Sequence, residues 1–232
     1  MNTTLTTFIP VLAVLVGACI CIHFRPGPRL VSAIQHLAAG VVFAAAAVEI
    51  LPQILHAGSV AATFIGGAAG VCAMLALKAL GKRWQGPVGL LGAVSIDLFI
   101  DGLVLGLAFI AGERAGILLT IALTLEVFFL GLTVTQAVEQ RVRSKVGVVL
   151  LTGAIALSLP LGALLSAPVG SLPPAVVAAF LAFGLMALLY LVTEELLVEA
   201  HEIPDTPLVS AMFFVGFLGL LLIEEGLAQR AG

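Results

Sequence analysis

Apolar residues in this chain come in long blocks, with polar positions gathered between the blocks rather than alternating along them. Eight blocks have bilayer-spanning length: Leu5–His23, Leu30–Leu55, Ser59–Leu80, Val88–Ala111, Gly116–Val138, Val146–Ala167, Ala175–Ala200 and Pro207–Ala228. A hydrocarbon core about 30 Å thick takes about 20 helical residues, and a chain inside it must satisfy its backbone internally, so each block predicts a transmembrane helix. The separators carry helix breakers: Arg25-Pro26-Gly27-Pro28-Arg29 after the first block, the short Gly112–Ala115 turn between the fourth and fifth, and the Pro/Gly loop Pro168–Pro174 before the seventh. The third block is rich in Gly and Ala (Gly66, Gly67, Gly70), which suits close helix approach. The expected fold is an all-α polytopic membrane protein.

Composition agrees. The chain is 61% hydrophobic and 10% charged, and its mean hydropathy of +1.23 is far above that of soluble domains. At 232 residues, it is expected to form one membrane domain over 1–232, with lipid as its surroundings. The formal net charge of −3, without a basic arm or charge run, speaks against nucleic acid as a partner. Met1–Thr7 lacks a basic leader segment, so the first block reads as a retained helix. Cys19, Cys21 and Cys72 all fall in apolar blocks without metal-ligand spacing, and read as small packing residues rather than a disulfide framework or a soft-metal site.

The cations orient the blocks. With the N-terminus outside, the inner loops collect Arg25, Arg29, Lys78, Lys82, Arg83, Arg141, Arg143 and Lys145, and the outer side keeps Arg114 and Arg230. This positive-inside bias predicts eight spans with both termini outside. The expected location is the plasma or inner cell membrane. The last inner loop, around His201-Glu202-Ile203-Pro204-Asp205, is acidic instead. A faint repeat also emerges. Glu49-Ile50-Leu51 ends the second block as Glu195-Leu196-Leu197 ends the seventh, each followed by a histidine (His56, His201). The two blocks cross in opposite directions, which fits an inverted-topology repeat.

The chemistry concentrates in the fourth and fifth blocks. Asp97 and Asp101 lie four residues apart, hence on one helical face, with no basic residue inside their block. Each acid near the bilayer centre costs about 2.5–3.5 kcal/mol on insertion scales. Glu126 sits mid-way along the fifth block, and the short turn makes the two helices antiparallel neighbours, so three carboxylates are expected at one depth. A cation on that face would relieve their repulsion; the competing explanation is protonated acids bonded to backbone carbonyls. His36 and Glu49 in the second block, and Glu195, His201 and Glu202 with Glu194 and Glu199 at the inner end of the seventh, are candidate route residues or structural polar groups. Glu224 and Glu225 read as solvated.

Several of these motifs, in order, resemble the ZIP (Zrt/Irt-like) metal transporters. Asp101-Gly102-Leu103-Val104-Leu105-Gly106 is similar to the family's fourth-helix motif, an acid-Gly-Leu-x-x-Gly preceded four residues earlier by a ligand. His36-Leu37-Ala38-Ala39-Gly40-Val41 with Glu49-Ile50-Leu51-Pro52 resembles its second helix, Pro160-Leu161-Gly162-Ala163-Leu164-Leu165 its sixth, and Tyr190 through His201 the end of its seventh. The resemblance implies a 3+2+3 bundle of eight helices with inverted repeats, a homodimer, and import of a divalent metal (zinc, manganese or iron(II)) towards the cytoplasm by alternating access.

There are departures. The family's His-Asn before the fourth-helix acid is Asp97-Leu98 here. Its fifth-helix His-(Glu or Asp)-x-Pro-Glu-Gly reads Glu126-Val127-Phe128-Phe129-Leu130-Gly131, and the Glu before the sixth-helix proline is Leu159. The first metal site therefore carries over as Asp97, Asp101 and Glu126, whereas the second would be Leu98, Val127 and Leu159, which offer no ligand atom. An all-carboxylate set is hard and suits manganese, iron(II) or magnesium at least as well as zinc. Loss of the second site motivates an alternative: a membrane protein of the same fold that senses a cation or protons without transporting. An enzyme is not expected. The sequence holds no His-Glu-x-x-His, and Phe99-Ile100-Asp101 does not supply the Gly-x-Gly-Asp of paired-aspartate intramembrane proteases.

Overall fold

The computed structural model describes residues 6–24, 26–57, 59–83, 87–139, 142, 144–202, 204 and 206–231. Those residues form eight helical segments and no strand. They are α1 (Phe8–Phe24), α2 (Pro28–Ala57), α3 (Val60–Arg83), α4 (Pro87–Ala111), α5 (Glu113–Glu139), α6 (Lys145–Ser171), α7 (Pro174–Ala200) and α8 (Pro207–Ala231). Seven of them, α2 to α8, are long and apolar enough to cross a bilayer; α1 is apolar and 17 residues long. The chain has the build of a multi-pass membrane protein. Arg25, Arg141, Arg143, Ile203, Asp205 and the start of the first block at Leu5 lie outside the described residues, as do the side chains of Lys82, Arg83 and Arg230.

Proline sets four of the helix starts. Pro28, Pro87, Pro174 and Pro207 each open a helix, where the missing N–H would have had no intrahelical partner. Two separators differ from expectation. The Gly112–Ala115 turn shrinks to Gly112 alone, because Glu113 already begins α5. In the Pro168–Pro174 loop, Ala167–Ser171 continues α6 as a 3-10 turn. Within α6 the helix breaks at Leu157, and Pro160 sits in the first turn of the piece that follows, Ser158–Ser166.

Two helices are irregular in the same way. A π-helical turn covers Ala46–Ile50 in α2 and another covers Val192–Leu196 in α7. Pro52 accounts for the first, since it removes the bond that its N–H would have made to Val48. No proline stands near the second, and nothing in its sequence explains it. Glu49 and Glu195 hold the fourth position of the two turns.

The helices pair as α1 with α5, α2 with α8, α3 with α7 and α4 with α6. Glycine lets the backbones touch in each pair. A Cβ at Gly17, Gly40, Gly66 or Gly102 would overlap a carbonyl oxygen of the facing helix, that of Phe128, Phe213, Ala179 or Leu159. Helices α4 and α5 are central, with 61% of their spanning windows buried, against 17% for α3 and 11% for α8. Phe64 and Ile65 on α3, and Phe214 and Leu218 on α8, turn outward. That is what a hydrocarbon solvent tolerates and water would not.

Candidate metal centre

The α4–α5 hairpin sets the depth of three acids. Asp101 lies eleven residues before Gly112 and Glu126 fourteen after it. At about 1.5 Å per residue the two differ by about one helical turn in depth, and Asp97 is one turn from Asp101. Asp101 is also ten residues from each end of the Leu91–Ala111 window, which is its middle. The glycines of the Asp-Gly-Leu-x-x-Gly motif face the other way. Gly102 and Gly106 abut Leu159, Ala163 and Ser166 of α6, and Gly162 of α6 abuts Phe99. The motif thus clamps α4 to α6 on one face while the carboxylates meet α5.

Asp97, Asp101 and Glu126 come together. Each offers one carboxylate oxygen, and these atoms lie within 4.8 Å of one another. The residues are 8%, 2% and 4% exposed. One buried oxygen of each (Asp97 Oδ1, Asp101 Oδ2, Glu126 Oε2) has no hydrogen-bond partner among the described residues. Two oxygens on one cation at about 2.1 Å are at most about 4.2 Å apart, so the three oxygens would have to draw slightly closer to share one ion. The three acids could hold a divalent cation through oxygen alone. Beside them, Leu98, Val127 and Leu159 are 1%, 0% and 0% exposed and belong to the apolar core.

Other candidates separate to the two ends of the bundle. Glu195 and Glu199 line a cavity of about 390 Å³ with Leu77, Lys78, Asp97 and Thr133, so this space runs from the Lys78 end to one of the three central acids. Glu202, exposed, lines a second cavity at that end with Gln35 and Glu199. His36 is buried, its ring centroid 5.0 Å from that of His201, and its Nδ1–H donates to the Ser32 carbonyl at 2.9 Å. Ser32 Oγ donates to the Ala200 carbonyl at 2.9 Å and Gln35 Nε2 to Glu199 Oε2 at 3.0 Å. These bonds join the start of α2 to the end of α7. His36 and His201 therefore belong to a helix seam beside the cavity, not to its described lining.

Glu49 lies at the opposite end, 3.9 Å from Arg114 Nε. Arg114 also donates to the Glu224 carboxylate and, at 2.9 Å, to the Glu224 carbonyl. The solvated reading of Glu224 is thereby corrected: its side chain is 20% exposed and ion-paired, because α8 ends against the start of α5. Sequence reasoning missed this cluster and the pairing of Lys78 with Glu194 at 2.9 Å. No local signal marks either pair, since the partners stand 110 and 116 residues apart. The sequence matches no family model and no curated protein.

Proposed function

We propose that this protein is a multi-pass transporter of a divalent transition-metal cation, of the ZIP-like kind, moving its substrate through Asp97, Asp101 and Glu126 towards the cytoplasm. One observation carries the reading: three buried carboxylates from adjacent helices converge at mid-helix with no basic residue among them, where each costs about 2.5–3.5 kcal/mol unless a cation or protons compensate. The cavity that reaches Asp97 from the Lys78 end supplies a route. Zinc, manganese and iron(II) are the candidate substrates, and the oxygen-only ligand set favours the harder ions. With Leu98, Val127 and Leu159 apolar, the centre holds one ion per protomer.

Finer features of the fold belong to the same proposal. Counting α1 gives eight spans, with both termini outside and the Lys78 end cytoplasmic by the positive-inside bias. The four helix pairs support a 3+2+3 inverted repeat. Exchanging α1–α3 with α6–α8 and α4 with α5 turns the α1–α5 pair into α6–α4, and the α2–α8 pair into α7–α3. The paired π turns at Glu49 and Glu195 follow the same exchange. The homodimer is proposed on the resemblance alone. Cysteines placed at Arg83 and Arg114 are expected to label from opposite sides of the membrane; labelling of both from one side overturns the topology.

Purified protein in proteoliposomes, offered zinc, manganese, iron(II) and magnesium in turn, tests the function. The expected result is saturable flux of at least one ion, abolished in Asp101→Asn. Wild-type flux in the variant with all three acids neutralised removes the proposal. The apolar Leu98–Val127–Leu159 layer also favours a second reading, a cation sensor that does not transport; Asp101-dependent binding without flux selects it.

A further inference from the structure

Three carboxylates stand on the otherwise largely apolar wall of the cavity leading from Asp97 to the Lys78 end, and one ammonium stands among them. Lys78, on α3, is the basic residue among the described residues lining it, with Asp97, Glu195 and Glu199 as the acids. Its Nζ contacts Glu194 Oε2 at 2.9 Å and lies 5.5 Å from the centre of the Tyr190 ring. Both members of the ion pair are substantially exposed, 37% for Lys78 and 50% for Glu194, so the pair is weak and the ammonium is loosely held. Glu194 and Glu195 are consecutive residues of one π turn, and only Glu195 lines the cavity. A lysine head is a compact charge with three donors on a four-carbon stem. Swinging from Glu194 to Glu195 is a small movement for it.

We propose that Lys78 sets the affinity of this route: its ammonium is a tethered cation that competes with the divalent ion for the cavity carboxylates and drives the ion out at that end. The proposal rests on the transport reading above. A low-dielectric pocket holding Asp97, Glu195 and Glu199 next to Asp101 and Glu126 would trap a dication, and passage requires binding weak enough to be reversed. A positive charge at the pocket's mouth provides that. It neutralises the acids when the ion has left and repels the ion while it is there.

The test is manganese(II) binding to the full chain in lipid nanodiscs, read by the EPR signal of free ion, with release followed by chelation. Lys78→Gln is expected to tighten binding about threefold to tenfold, as loss of one charge acting through a wet cavity mouth implies, and to slow release by a similar factor. Lys78→Arg keeps the charge and is expected to stay near wild type. Glu194→Gln releases the ammonium towards Glu195, so it should weaken binding, and by more with Lys78 present than in the Lys78→Gln background. A merely structural ion pair predicts no gain in affinity for Lys78→Gln and additive effects of the two changes; either result overturns the proposal. If wild type binds neither manganese nor zinc in an Asp101-dependent way, the transport reading fails first and takes this inference with it. Normal wild-type binding with unchanged Lys78→Gln affinity sinks this inference alone.

Discussion

The two ends of the bundle carry the same kinds of charge and hold them differently. At one end Arg114 lies between Glu49 and Glu224, from two other helices, and donates to a backbone carbonyl as well. Between that cluster and the three acids, Leu105, Ala108, Leu119 and Ala122 are packed with at most 1% exposure. At the other end Lys78 holds one carboxylate at the surface, and a cavity runs past it to Asp97. A guanidinium with five donors can tie several elements together, whereas an ammonium on one partner leaves its neighbours accessible. The difference teaches that the buried acids are approached from one side, through the cavity that reaches Asp97. In the proposed orientation that side is the cytoplasm, and the Arg114 cluster is the closed outer face.

The largest effect is expected at the point both ends share. Replacing Asp97 and Asp101 by Asn and Glu126 by Gln together should reduce divalent-ion binding by about 100-fold or more, about 2.8 kcal/mol. Thermal stability should hold or rise, because buried charges have gone. Isothermal titration with manganese(II) beside a thermal melt reads both, and a stability collapse with unchanged binding would make the acids structural. Acidification should mimic the change in wild type: protons compete for the same oxygens, so the apparent dissociation constant rises as pH falls.

A smaller effect concerns packing common to both ends. Gly102→Ala should cost about 1–3 kcal/mol, as overpacking does, since the added methyl meets the backbone of Leu159. Gly219→Ala, whose methyl meets nothing within 4 Å, should be neutral or slightly stabilising in the same melts. Similar losses from both would mean that α4 and α6 are not in backbone contact.

Arg114→Ala sharpens the contrast of the ends directly. It should cost about 1–2 kcal/mol, between the values for exposed and buried pairs. It should also speed maleimide labelling of a cysteine placed at Leu105 from the Arg114 side, in a background lacking Cys19, Cys21 and Cys72. Unchanged labelling would mean that the apolar layer alone seals this end. The smallest effect is reserved for a neighbour: Glu225→Gln, at an exposed position beside Glu224, should shift stability by no more than about 0.5 kcal/mol. An equal response from Glu224→Gln would break the assignment of Glu224 to the cluster.

Sequence reasoning reached further at the centre than at the ends, for physical reasons. Hydropathy marks the helices because lipid leaves no alternative for the backbone; Pro28, Pro87 and Pro174 lie before the expected blocks, and the structure takes them into the first turns, where a missing N–H costs nothing. The three acids were legible because a spacing of four and a short turn are both local, and together they point to face and depth. Glycine in the Asp-Gly-Leu-x-x-Gly motif predicts close approach, but not that α6 is the helix approached. Tertiary structure alone decided the rest. Arg114 finds Glu224 and Lys78 finds Glu194 across more than a hundred residues, through the α5–α8 and α3–α7 contacts, and no periodicity carries that information. The π turn at Val192–Leu196, which carries Glu194 at the surface and Glu195 in the cavity, has no signature in its own residues. Local rules act over a turn or two of helix; which charge sits opposite which depends on how whole helices pack.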